Sequence, residues 1–129
     1  MIDEEKFKEA ARFDQLGRHA DAARLYASLS TNSTDARLFM AFGRCLQSLG
    51  HWGESIVQLQ RAIDLRPAYC EGDTRLALAT ALMRTGQKAQ AIKQWKIVAE
   101  MPPEYPSYGA VADEARAALA GLRTASATS

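Results

Sequence analysis

Residues 38–67, LFMAFGRCLQSLGHWGESIVQLQRAIDLRP, read as two helices joined by a turn. Leu38, Phe39, Phe42, Leu46 and Leu49 recur at steps of one, three and four, which places them on one helical face. Gly50 then supplies the backbone freedom that ends a helix. A second pattern runs through Trp52, Ile56, Leu59, Ala62, Ile63 and Leu65 and stops before Pro67. Proline has no N–H to donate and disfavours helix in the residue before it, so Pro67 marks a stop.

The same unit recurs on either side. Gly17, Gly50 and Gly86 are separated by 33 and 36 residues, and the same two offsets relate Ala10, Gly43 and Ala79. They also relate Phe13, Leu46 and Leu82; Ala22, Ser55 and Ala91; and Tyr26, Leu59 and Trp95. Five landmarks sharing one pair of offsets define three repeats of about 34 residues. The first repeat uses Phe7, Ala10, Phe13 and Leu16, then Ala22, Leu25, Tyr26 and Leu29. The third uses Leu76, Leu78, Ala79, Leu82 and Met83, then Ala91, Ile92, Trp95, Val98 and Ala99, ending before Pro102 and Pro103.

Composition agrees with helices and narrows the function. Alanine accounts for 24 of 129 residues against 8 Gly and 4 Pro; it is the best helix former and lets helices approach closely. Sixteen basic and 15 acidic side chains leave a net charge of +1, which lacks the basic stripe expected of a nucleic-acid binder. No apolar run approaches the roughly 20 residues of a membrane span. Met1-Ile2-Asp3-Glu4-Glu5-Lys6 is acidic and has no apolar core, unlike a signal peptide, so a cytoplasmic location is expected. Cys45 and Cys70 lack C-x-x-C spacing and read as thiols, Cys45 as a buried one. His19 and His51 follow the turn glycines and read as surface turn residues, while Asp3, Glu4 and Glu5 read as helix-start charges. No catalytic motif, metal-ligand spacing or cofactor loop is present, so the expectation is a non-enzyme without metal or cofactor.

These residues resemble the tetratricopeptide repeats, whose pattern is W-x-x-L-G-x-x-Y, then A-x-x-x-F, then a closing proline. The middle unit carries Phe39-x-x-Phe42-Gly43-x-x-Leu46, Ser55-x-x-x-Leu59, Ala62 and Pro67. The third carries Leu78-Ala79-x-x-Leu82, Ala91-x-x-x-Trp95 and Pro103, with Arg75 where a large aromatic is usual. The first keeps Glu9-Ala10-x-x-Phe13 and Ala22-x-x-x-Tyr26, with Thr34 in place of the proline. The resemblance implies an all-α solenoid of three antiparallel helix pairs, at about 3–34, 36–69 and 72–105. Tyr108, Val111, Ala115, Ala118, Leu119 and Leu122 form one more stripe, expected as a capping helix at about 107–122 that covers the open flank of the last repeat. One domain over 1–123 and a flexible tail over 124–129 complete the expected organisation.

By the same resemblance, the first helix of each repeat lines a concave groove that binds a peptide or helical segment of a partner protein. The offsets give its rows as Phe7, Met40 and Leu76; Lys8, Ala41 and Ala77; Ala11, Arg44 and Thr80; and Asp14, Gln47 and Met83, with Arg84 towards one end. Met and Leu beside an Arg suit an adaptable apolar surface, and Arg44 either forks onto a ligand carboxylate or pairs with Asp14. The chaperone-tail clamp of the family needs Lys and Asn at positions held here by Phe7, Ala11, Ala41, Asp73 and Ala77, and none fits. Two alternatives stand beside the general module. One is self-assembly into a homo-oligomer. The other rests on the stretch from Asp35 through Gly43 to Gly50, which resembles the middle repeat of bacterial type III secretion chaperones. Those hold an extended segment of a secreted protein and tend to carry an N-terminal helical extension, whereas this chain starts almost at its first repeat.

Overall fold

The computed structural model describes residues 2–65, 70–102 and 106–128, with side chains given over 2–65, 70–102 and 109–123. Pro67 and Pro103, read as helix stops, and the side chain of Tyr108 lie outside that description. The described residues form helices only: α1 (Glu4–Gln15), α2 (His19–Ser30), α3 (Ala36–Ser48), α4 (Trp52–Asp64), α5 (Glu71–Arg84), α6 (Lys88–Ala99) and α7 (Pro106–Thr128). They fall into two compact units, Met1–Ala68 and Tyr69–Ser129. The first holds two helix pairs, and the second holds one pair and the trailing helix.

Local chemistry sets the helix ends. The Asp3 carboxylate accepts from the Lys6 amide at 3.2 Å and starts α1, and Glu4 and Glu5 lie in its first turn, where the helix dipole favours negative charge. Asp35 caps α3 in the same way, accepting from the Arg37 amide at 2.9 Å. Within each pair the turn is one motif used three times. Gly17, Gly50 and Gly86 adopt φ of 79°, 77° and 79°. The residue after each glycine donates back to the carbonyl five positions earlier, Arg18 to Phe13, His51 to Leu46 and Gln87 to Leu82, each at 2.8 Å. Each glycine amide also donates to the carbonyl three positions earlier, Gly17 to Asp14, Gly50 to Gln47 and Gly86 to Met83. This double closure satisfies the last helical carbonyls and requires a left-handed residue, which is the reason glycine stands there.

In the first unit Ala10, Ala22, Tyr26, Leu38, Phe42, Cys45 and Leu46 form one buried cluster. Tyr26 of α2 sits between the pairs, its ring 5.9 Å from Phe7 of α1 and 6.2 Å from Phe42 of α3. α3 and α4 approach so closely at Gly43 that a Cβ there would lie 2.6 Å from Leu59 Cγ. Ser55, where the other repeats have alanine, donates to the Gly43 carbonyl at 2.9 Å and is fully buried. A buried hydroxyl is tolerated because it has that acceptor.

In the second unit Ala77, Leu78, Ala79, Ala81 and Leu82 of α5 and Ala91 of α6 are buried. The departure at Arg75 has a local reason: its side chain is 17% exposed and donates through Nη1 to Gln94 Oε1 at 2.7 Å, linking α5 to α6. α7 covers the open flank, packing Val111 and Ala115 onto Val98 with Leu76, Trp95, Ala99 and Met101 around them. Gly72 makes room for this helix, since a Cβ there would lie 2.9 Å from Val111 Cγ2. The helical backbone of α7 continues past 122 to Thr128. No helix among the described residues is long and apolar enough to cross a membrane.

Candidate peptide-binding face

The first helices of the second and third pairs, α3 and α5, are buried on most sides and accessible along one strip, whereas α1 buries only Ala10. On α3, Leu38, Phe39, Phe42, Gly43, Cys45 and Leu46 are buried, while Arg37, Met40, Ala41, Arg44, Gln47 and Ser48 are half-buried or exposed. Those six follow steps of three, one, three, three and one, a single stripe along the helix. Half-buried Ala11 and exposed Lys8 lie on the accessible part of α1. Phe7 is half-buried and belongs to the edge of the core: it packs against Tyr26, and the Arg37 guanidinium lies 5.5 Å from its ring centroid. Arg37 is itself tied to Glu4 at 2.8 Å and to Asp35 at 2.7 Å, which stitches the start of α1 to the start of α3. Asp35 first, then Glu4, favours its charged form.

Arg44 is exposed and makes no ion pair among the described residues. Asp14 does not reach it. That carboxylate is held instead by His19, whose Nδ1 lies 2.5 Å from Oδ1. Cys45 adds its thiol to the same spot, donating to the His19 carbonyl at 3.2 Å. Burial first, then the Asp14 charge, pushes the Cys45 thiol up to about 12. Asp14, expected in a groove row, and His19, expected on an open turn, instead meet. The spacing of five residues across the Gly17 turn is the signal that could have found the pair.

The second unit presents its own strip on α5. Thr80 and Arg84 are exposed and Met83 is half-buried. Leu76 is half-buried and packs against the Val98–Val111–Ala115 cluster beneath α7. Elsewhere in this unit a cleft of about 520 Å³ opens between α6 and α7, lined by Lys88, Ile92, Lys96, Leu119, Leu122 and Arg123. Its floor is aliphatic and its rim is cationic.

No family model and no curated protein matches the chain. Solved structures do. The Yersinia enterocolitica type III secretion chaperone SycD, in complex with a peptide of the translocator YopD, matches with a TM-score of 0.84 at 19% identity, over 95% of this chain and 93% of that one. The fold is of the tetratricopeptide type. SycD in an alternative dimer gives a TM-score of 0.83 at 19% identity, over 95% of this chain and 92% of that one. PcrH of Pseudomonas aeruginosa, in complex with the chaperone-binding region of PopB, gives 0.79 at 22% identity, over 88% and 91% of the two chains.

Proposed function

We propose that this chain is a non-catalytic interaction module that binds a peptide or helical segment of another protein on the accessible strips of its first helices. The observation that carries the reading is the strip on α3. A helix buried on its other sides leaves Met40, Arg44 and Gln47 accessible in one line, and Arg44 has no ion pair among the described residues. Met supplies an adaptable apolar contact, and an arginine fork fixes a carboxylate or a peptide carbonyl by two parallel bonds. Lys8 and Ala11 extend that face on α1, and Thr80, Met83 and Arg84 present a comparable set on α5. Phe7 and Leu76 support these surfaces from the core side. Matches to SycD with a peptide of the translocator YopD and to PcrH with the chaperone-binding region of PopB favour a protein segment as ligand over a small molecule. Affinity in the micromolar range follows for a short, disordered segment, whose ordering costs about 2–5 kcal/mol.

Affinity capture from a lysate of the source organism, with wild type, Arg44→Glu and Met83→Glu as parallel baits, tests this. A protein retained by wild type and lost from both variants supports the assignment. Equal capture by all three overturns it. Self-association is the second reading, favoured by the alternative dimer of SycD. Sedimentation of the purified chain over a hundredfold concentration range decides it by whether the mass rises.

A further inference from the structure

The turn after α1 brings together three side chains whose chemistry the peptide-binding reading leaves unused. Asp14 lies one residue before the end of α1, and His19 is the first residue of α2. The left-handed Gly17 between them reverses the chain, so that the carboxylate and the imidazole face each other at 2.5 Å. Cys45 arrives from α3, a different repeat, with its sulfur 3.2 Å from the His19 carbonyl oxygen. One ligand atom from each of the three residues lies within 4.8 Å of the others. Carboxylate oxygen, imidazole nitrogen and sulfur thus converge from three helices of the first unit.

We propose that Asp14, His19 and Cys45 form a binding site for a divalent transition-metal ion of the zinc class. The donor set selects the ion: a sulfur and an imidazole suit Zn²⁺ or Co²⁺, whereas Mg²⁺ and Ca²⁺ require oxygens. Access is one-sided. The Cys45 side chain is fully buried, while Asp14 and His19 are 24% and 32% exposed, so an ion enters past the carboxylate and the ring. Three protein ligands leave one tetrahedral position for water on that open side. On binding, the proton between Asp14 and His19 Nδ1 leaves, to solvent or by a shift of the ring to its Nε2–H tautomer, and both groups bond the metal instead. The Cys45 sulfur gives up its proton to solvent and its hydrogen bond to the His19 carbonyl. The ion then joins the end of α1, the start of α2 and the middle of α3, bracing the first repeat against the second. The competing account is a metal-free cluster in which His19 holds the Asp14 carboxylate and the Cys45 thiol donates to the His19 carbonyl, and it predicts no metal uptake.

The test uses the full chain, stripped with a chelator and titrated with Co²⁺, with Zn²⁺ competing. One ion per chain and a thiolate-to-cobalt charge-transfer band are expected. The band should vanish in Cys45→Ser and persist in Cys70→Ser, and His19→Gln should bind at least about tenfold more weakly. No charge-transfer band in the wild-type chain overturns the site, as does a band that survives in Cys45→Ser. Circular dichroism shows whether each variant is folded. Should Cys45→Ser fail to fold, His19→Gln decides alone, and wild-type affinity in that variant overturns the proposal.

Discussion

At Gly43 a single hydrogen in place of a side chain sets the distance between two helices. The nearest atoms to an added Cβ are Leu59 Cγ at 2.6 Å and Cδ2 at 2.7 Å, both in a fully buried side chain with nowhere to retreat. Gly43→Leu is therefore expected to destabilise the first unit by about 1–3 kcal/mol or more through overpacking. Urea denaturation monitored by circular dichroism measures it, and an unchanged midpoint would show that the helices can part at no cost. Arg44, the next residue, points the other way. Arg44→Glu should leave the urea midpoint within about 0.5 kcal/mol of wild type while abolishing capture of the partner, since an exposed side chain without an ion pair supports nothing in the fold. The close contact at Gly43 and the exposure of Arg44 were readable in the sequence because the repeat offsets align Gly43 with Ala10 and Ala79, and Arg44 with Ala11 and Thr80. The meeting of Asp14, His19 and Cys45 was not readable. It depends on how α3 of the second repeat docks against the turn of the first, and neither local spacing nor helical period encodes that docking.

At the scale of the element, capping decides where helices begin and how they respond to pH. The Arg37 guanidinium, bonded to Asp35, holds that carboxyl below its ordinary value of 3.8, and the Arg37 backbone amide acts in the same direction. A carboxyl lowered on folding contributes stability above about pH 4, and that contribution is lost as pH falls through the folded value. Asp35→Ala should cost about 1 kcal/mol at pH 7 and progressively less as the pH is taken below 4. Thermal melts of wild type and variant at pH 7 and pH 3 check this through the narrowing of their difference. The trailing helix makes a second element-scale case. Val98 and Leu76 are covered by Val111 and Ala115, so a chain ending at residue 105 should expose an aliphatic flank, melt lower and aggregate. Light scattering on heating measures that, and a truncated chain as soluble as the full one would remove α7 from the fold's support. The existence of this helix was readable from its apolar stripe. Its extension to Thr128 was not, because Thr, Ala and Ser carry no stripe, and alanine alone favours helix only weakly.

For the whole molecule, fold and partner differ in how far sequence reasoning reaches. Three repeats and a terminal helix follow from offsets shared by buried residues, since burial constrains side-chain size at each position. The proposed binding strips are the positions packing leaves unconstrained, and so Met40, Arg44 and Met83 carry little information about which ligand would lie there. Phe7 and Leu76, placed in the same rows, turned out to be packed against Tyr26 and beneath α7 respectively. Simple offsets cannot tell a residue at the core's edge from one on the open face.

The two cysteines have a further consequence. Cys45 is fully buried in the first unit, out of reach of a bulky reagent, and Cys70 is half-buried where the second begins. A thiol-reactive dye should modify Cys70 quickly and Cys45 only during excursions that open the first unit, so the slow phase times those excursions under native conditions. Unmutated protein thus carries its own stopwatch for local opening. Mass spectrometry of the labelled chain reads it, with comparable rates at both sulfurs as the contrary outcome. A bound partner segment that bridges α1 and α3 should slow the second phase and leave the first untouched.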